Sequence, residues 1–65
     1  MERRLIADDD ECKSGDCPKI FLTDRGTVEV QGYKVRDHGL NLPEGEDLVE
    51  IPLSVLLKAA HADLG

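Results

Sequence analysis

Two cysteines, Cys12 and Cys17, are the residues of this chain best placed to do chemistry. They flank Lys13-Ser14-Gly15-Asp16, four residues with the composition of a turn. In a hairpin with Ser14 and Gly15 at its tip, the two cysteines face each other across the strands. Their Cα atoms should then lie within about 7 Å, the limit for bridging. That geometry suits a disulfide, half of a metal site, or a buried pair of unreactive thiols packed beside the turn. A cytoplasmic setting, where thiols stay reduced, favours the packed pair.

The other chemistries that these residue types allow fail on spacing. A Cys2His2 zinc set needs His38 and His61, the two histidines of the chain. They stand singly and far apart, and Cys-x4-Cys lies at the edge of the two-to-four-residue spacing of finger and ribbon sites. His61 reads more simply as a helix C-terminal residue favoured by the dipole, and His38 as an exposed turn residue. A phosphatase-like loop requires an arginine six residues after its cysteine, where this chain has Pro18 and Thr23. A thioredoxin-like site requires Cys-x-x-Cys. The serines, Ser14 and Ser54, lie in no nucleophile elbow. The acidic run Asp8-Asp9-Asp10-Glu11 is not a calcium loop, since its fifth and sixth positions are Cys12 and Lys13 instead of an oxygen ligand and a glycine. The reading is therefore of a protein that is not an enzyme, with no catalytic residue and no cofactor. Zinc on Cys12, Cys17, His38 and His61 is kept as the exception.

Sixty-five residues make one domain at most, covering residues 1–65. Within it, residues 1–14 read as a loosely ordered N-terminal strand and acidic loop. Phe21 and Tyr33 are the only aromatics, so the core must be built from Leu, Ile and Val. A core of that size often needs a disulfide, a metal, a second copy or a partner to hold it. The net charge of −6 disfavours direct binding to nucleic acid. That charge is uneven. Residues 1–36 hold eight acids and seven bases, whereas residues 37–65 hold six acids and one base, Lys58. An acidic second half suits a basic protein surface. Lys34 and Arg36 on one strand face, with Lys19 nearby, make at most a small basic patch among solvated charges. Arg3-Arg4 is followed by only Leu5-Ile6-Ala7 before the acidic run, too little for an export signal. No segment is long enough to span a membrane, and the expected location is the cytoplasm.

The elements that must position these residues can be read from period and punctuation. A short strand covers residues 3–7. Residues 19–36 form a hairpin, with Ile20-Phe21-Leu22-Thr23 as one strand and Asp24-Arg25-Gly26 as its turn. Val28 and Val30 then alternate on one face, but Tyr33 and Val35 carry the apolar pattern on odd numbers. A β-bulge at Gly32 would absorb that one-residue slip. Residues 37–47 form a loop pinned to the core by Leu40 and Leu42, and residues 48–51 form a strand. Pro52 occupies the first position of a helix. In it, Leu53, Leu56, Leu57, Ala60 and Leu64 recur as one apolar stripe. The expected fold is α+β, a small antiparallel sheet of three to four strands covered on one face by the C-terminal helix.

Gly15-Asp16-Cys17, Val35-Arg36-Asp37, Pro43-Glu44-Gly45, the strand of residues 48–51 and the helix from Pro52 together resemble a family of small actinomycete proteins. That family is a domain of unknown function encoded beside helix-turn-helix regulators. The resemblance spans roughly residues 15–60 through short motifs. The chain lacks the tryptophans usual in the family, and Cys12 lies outside its pattern. The resemblance implies a regulatory accessory protein that contacts a DNA-binding partner and has no enzymatic activity of its own. The leading expectation is thus a small, acidic, cytoplasmic binding module, able to pair as a homodimer and acting by protein–protein contact on a helix-turn-helix regulator. The alternative is a zinc-stabilised or thiol-redox protein using Cys12 and Cys17.

Overall fold

The computed structural model describes residues 2–12 and 17–62. Three antiparallel strands form the main sheet: β1 (Arg3–Asp8), β2 (Lys19–Thr23) and β3 (Val28–Gln31), in that spatial order. A second, two-stranded sheet pairs β4 (Tyr33–Lys34) with β5 (Val49–Glu50). One helix, α1 (Leu53–Ala60), follows. This is the small α+β fold expected, with its strands divided between two sheets.

The β2–β3 hairpin closes where its turn residues say it should. Gly26 takes a φ of +76°, open to glycine at little cost. Thr23 is buried, and its Oγ1 accepts bonds from the amides of Arg25 (3.2 Å) and Thr27 (3.3 Å) and meets Thr27 Oγ1 at 2.7 Å. A buried hydroxyl costs stability unless paired, and here the turn itself supplies the partners.

Gly32 is not a bulge. The chain leaves the main sheet there and enters the second one, with Tyr33 opposite Glu50 and Lys34 opposite Val49. The odd-numbered apolar phase belongs to a different sheet, so no register slip needs repair. Glycine is required at this crossing because β5 runs so close. A Cβ on Gly32 would lie 2.6 Å from the Glu50 carbonyl oxygen and 2.7 Å from Ile51 Cγ2. The register shift of the main sheet falls instead in β1, between Leu5 and Ala7. It lets Ile6 and Ala7 both turn toward the interior.

Among the described residues the core is small: Ala7, Ile20, Val55 and Ala59, with Ile6 and Ile51 packed against it. Ile20 and Val55 are its two fully buried large side chains. The helix packs on β1 and β2. Pro52 sits at its N-cap in an extended conformation, one place earlier than expected, and His61 caps its C-terminus. The expected leucine stripe does not face the sheet. Leu53, Leu56 and Leu57 are 68, 51 and 50 % exposed, Ala60 is exposed, and Val55 and Ala59 are buried in their place. The stripe's fifth member, Leu64, lies outside the described residues. Leu40 is likewise exposed instead of pinning its loop, while Leu42 is half-buried.

Candidate functional site

The acidic run and the cysteines occupy the connection after β1. Asp9 turns the chain: its carbonyl accepts the Cys12 amide at 3.1 Å and its carboxylate accepts the Glu11 amide at 3.1 Å. Cys12 and Cys17 are joined in a disulfide with Cα atoms 5.6 Å apart, inside the expected limit. The packed thiol pair is therefore replaced by a covalent bridge. The hairpin tip at Ser14 and Gly15 lies outside the described residues. On the far side, the Cys17 carbonyl accepts bonds from Lys19 Nζ (3.2 Å) and Gln31 Nε2 (3.3 Å), and Pro18 is buried. Cys12 and Pro18 line an open hollow of about 460 Å³ with Tyr33, Ile51 and Pro52, where the bridge meets the junction of the two sheets.

The histidines do not join this site. His38 Nδ1 accepts the Leu40 amide at 2.9 Å, which fixes a half-buried turn instead of an exposed one. The His61 amide donates to the Leu57 carbonyl at 3.1 Å, in the helix-end position expected of it. Among the described residues, no three His, Cys, Asp or Glu side chains gather into a metal-binding group. Nor does a basic patch form. Lys34 Nζ lies 3.1 Å from Asp47 Oδ2, and the Lys34–Arg36 side shares a hollow of about 570 Å³ with Glu46 and Asp47. The Leu48 amide, then Lys34, holds the Asp47 carboxyl below its usual range.

Charge pairs instead tie elements together. Arg3 on β1 and Glu29 on β3 bond across the sheet, which lowers the Glu29 pKa and raises that of Arg3. Lys58 on α1 reaches the acidic connection: Nζ lies 2.7 Å from Asp10 Oδ2 and donates to the Asp8 carbonyl at 3.1 Å. That contact lowers the Asp10 pKa and raises that of Lys58. Asp37, Glu44, Glu46 and Glu50 are all exposed and make no ion pair among the described residues.

A further arrangement is apolar and lies where the sheet leaves an edge open. Between α1 and β3 runs a groove of about 270 Å³ with Ile6 and Ile20 at its floor. Val28 and Val30 form one wall, Leu56 and Ala60 the other. The pairing of Ile20 with Val30 and of Leu22 with Val28 puts these residues on the helix-bearing face of the sheet. The helix covers β1 and β2 and leaves β3 open. The signal was present in the sequence. At 100° per residue, Val55, Leu56, Ala59, Ala60, Leu53 and Leu57 sweep roughly 200° of the helix surface, more than one small sheet can cover.

The chain matches no known protein-family model, no curated protein and no solved structure. No described helix is long and apolar enough to cross a membrane.

Proposed function

We propose that this protein is a small acidic binding module that acts by protein–protein contact, as a regulatory accessory to a DNA-binding helix-turn-helix regulator. The supporting observation is the acidic surface of residues 37–50, where Asp47 is paired with Lys34 and four further acids are exposed. Among the described residues, Asp37, Glu44, Glu46 and Glu50 are exposed without ion pairs, while Lys34 and Lys58 are already held by acids. Such a surface attracts a basic protein and repels phosphate backbones. The module therefore reads its target through the regulator and does not touch DNA itself. The test is binding of a purified helix-turn-helix regulator, measured by interferometry. Affinity should fall steeply between about 50 and about 300 mM salt as the charges are screened. It should fall at least about tenfold in the double variant Glu44→Lys, Glu46→Lys, the range expected when charges are reversed across a contact. Absence of binding, or binding indifferent to salt and to charge reversal, refutes the reading.

A second reading, thiol–disulfide exchange, is favoured by the bridge between Cys12 and Cys17. Its test is alkylation followed by mass spectrometry across glutathione buffers of graded potential. An exchange role needs the bridge to interconvert near the glutathione potential of its compartment. A bridge that stays closed throughout is structural only.

A further inference from the structure

We infer that the hollow where the disulfide meets the junction of the two sheets receives an arginine side chain of a protein partner. This deepens the reading of an acidic contact surface and rests on it for the class of partner. It names the point at which that partner is anchored.

The hollow combines apolar walls with carboxylates. Its volume is about 460 Å³, and Pro18, Ile51 and Pro52 line it, so the methylene stem of a long side chain meets apolar surface there. Tyr33 and Glu50, which also line it, stand opposite each other in the β4–β5 register. Residues so paired project to the same face of a sheet, with Cβ atoms about 4.5–5.5 Å apart. An aromatic ring and a carboxylate are thus side by side, and both residues are exposed. Asp9 brings a second carboxylate from the connection after β1, oriented by the bond it accepts from the Glu11 amide. Among the described residues, neither Asp9 nor Glu50 forms an ion pair, and none that lines the hollow is basic.

Charge complementarity selects the occupant. An apolar side chain would take the carboxylates out of water without a counter-charge, which is costly. An acidic side chain or a phosphate would be repelled by them and by the net charge of −6. An arginine satisfies every part of the lining. Its guanidinium stacks on an aromatic ring and bonds a carboxylate through two parallel N–H donors, and it is more weakly hydrated than the ammonium of lysine. Free arginine carries its own carboxylate into the same acidic field, whereas a residue within a chain does not. The walls are also preset. The bridge holds Cys12, Pro18 is buried, and β5 runs tightly against Gly32. A preformed hollow gives up little freedom on binding, and arginine is among the residues that anchor protein interfaces in such pockets.

The test is carbon-detected NMR of the full oxidised chain titrated with N-acetyl-arginine N-methylamide, whose neutral ends mimic a residue within a protein. The Tyr33 ring and Ile51 methyl signals should shift saturably, with a Kd of about 10 mM or tighter, as suits a single anchoring side chain. The double variant Asp9→Asn, Glu50→Gln should weaken binding at least about tenfold, the scale of charge-assisted bonds lost from an apolar site. It keeps the size of both side chains and the acceptor that Asp9 offers the Glu11 amide, so the fold should be unchanged. Tyr33→Leu, at an exposed position, should also weaken it. The corresponding lysine probe should bind more weakly, and the norleucine probe, which lacks charge, should give no saturable shift. The proposal is overturned if the arginine probe leaves Tyr33 and Ile51 unmoved, if it binds the double variant equally well, or if the lysine or norleucine probe matches it. Regulator binding that stays sensitive to salt and to Glu44→Lys, Glu46→Lys while the probe ignores the hollow overturns the hollow alone. Regulator binding indifferent to both, with the probe seated at Tyr33 and Ile51, supports the arginine site and refutes only the acidic contact with that regulator.

Discussion

Replacing Val55 with alanine tests which side of α1 belongs to the chain's own core. Val55 is 0 % exposed and packs with Ile20, Ala7 and Ala59 where the helix meets β1 and β2. The substitution removes two buried methyl-sized groups, at about 0.8 kcal/mol each. The cavity left behind adds about 1 kcal/mol, because a close-packed neighbourhood relaxes only partly. The expected cost is therefore about 2.5 kcal/mol. A chain of this size has roughly 3–5 kcal/mol in total, so the loss consumes most of its stability.

Leu57→Ala is the matched control. Leu57 is half exposed, so its truncation forfeits only part of the transfer free energy and opens no enclosed cavity. Alanine also favours the helix slightly. In dilute solution the expected cost is about 1 kcal/mol or less. Urea melts followed by circular dichroism, with linear extrapolation at a fixed slope, resolve the difference. The Val55→Ala penalty should exceed the Leu57→Ala penalty by at least about 1 kcal/mol, the difference between a fully buried and a half-exposed apolar side chain. If Leu57→Ala costs as much as Val55→Ala in dilute solution, Leu57 is buried in the monomer and the helix sits rotated from its observed orientation.

Gly32→Ala should destabilise by on the order of 1 kcal/mol or more, since its Cβ would collide with the Glu50 carbonyl and the Ile51 side chain. Amide exchange should quicken first in β4 and β5, whereas uniform quickening would mean that the two sheets open as one unit. The Lys58–Asp10 contact should make the seating of the helix pH-dependent at both extremes. Asp10 has a depressed folded pKa, so its contribution is present above the unfolded value and lost as pH falls through the folded one. Lys58 has a raised folded pKa, so its contribution is present below the unfolded value and lost as pH rises through the folded one. Carboxyl-detected NMR should find Asp10 titrating below the ordinary aspartate range and returning to it in Lys58→Met; an Asp10 that does not move would show that the contact is absent in solution.

Much of the fold was legible because it is written in local signals. The β2–β3 hairpin follows from Asp24-Arg25-Gly26 between two β-prone runs, and α1 follows from Pro52 and an uninterrupted apolar period. What the sequence left undetermined is which partner each surface meets. The helix carries two apolar stripes, and the larger side chains drew the expectation toward Leu53, Leu56 and Leu57. The thin sheet accepts the smaller pair, Val55 and Ala59, because β1 and β2 present Ala7 and Ile20 close beneath. At Gly32, a bulge and a change of sheet shift the side-chain phase by the same single residue. Only the position of β5, seventeen residues away in the chain, distinguishes them. The cysteine pairing was legible as proximity, since a four-residue connection brings the Cα atoms together. Its oxidation state was not, because that depends on surroundings outside the chain.

The distribution of side-chain size carries an argument of its own. α1 is held to its sheet by a valine and an alanine, with Lys58 reaching the Asp10 carboxylate and the Asp8 carbonyl from the side. Exposed ion pairs of this kind contribute little to stability, so the docking of the helix is lightly secured. The three leucines of the same helix are exposed, and of them Leu56 lines the groove beside Val28 and Val30, on a strand the helix does not cover. A chain folding only for itself would gain by turning those leucines inward, since each buried leucine contributes more than the valine that replaces it. That this helix turns the smaller pair inward leaves its larger apolar side chains exposed to solvent.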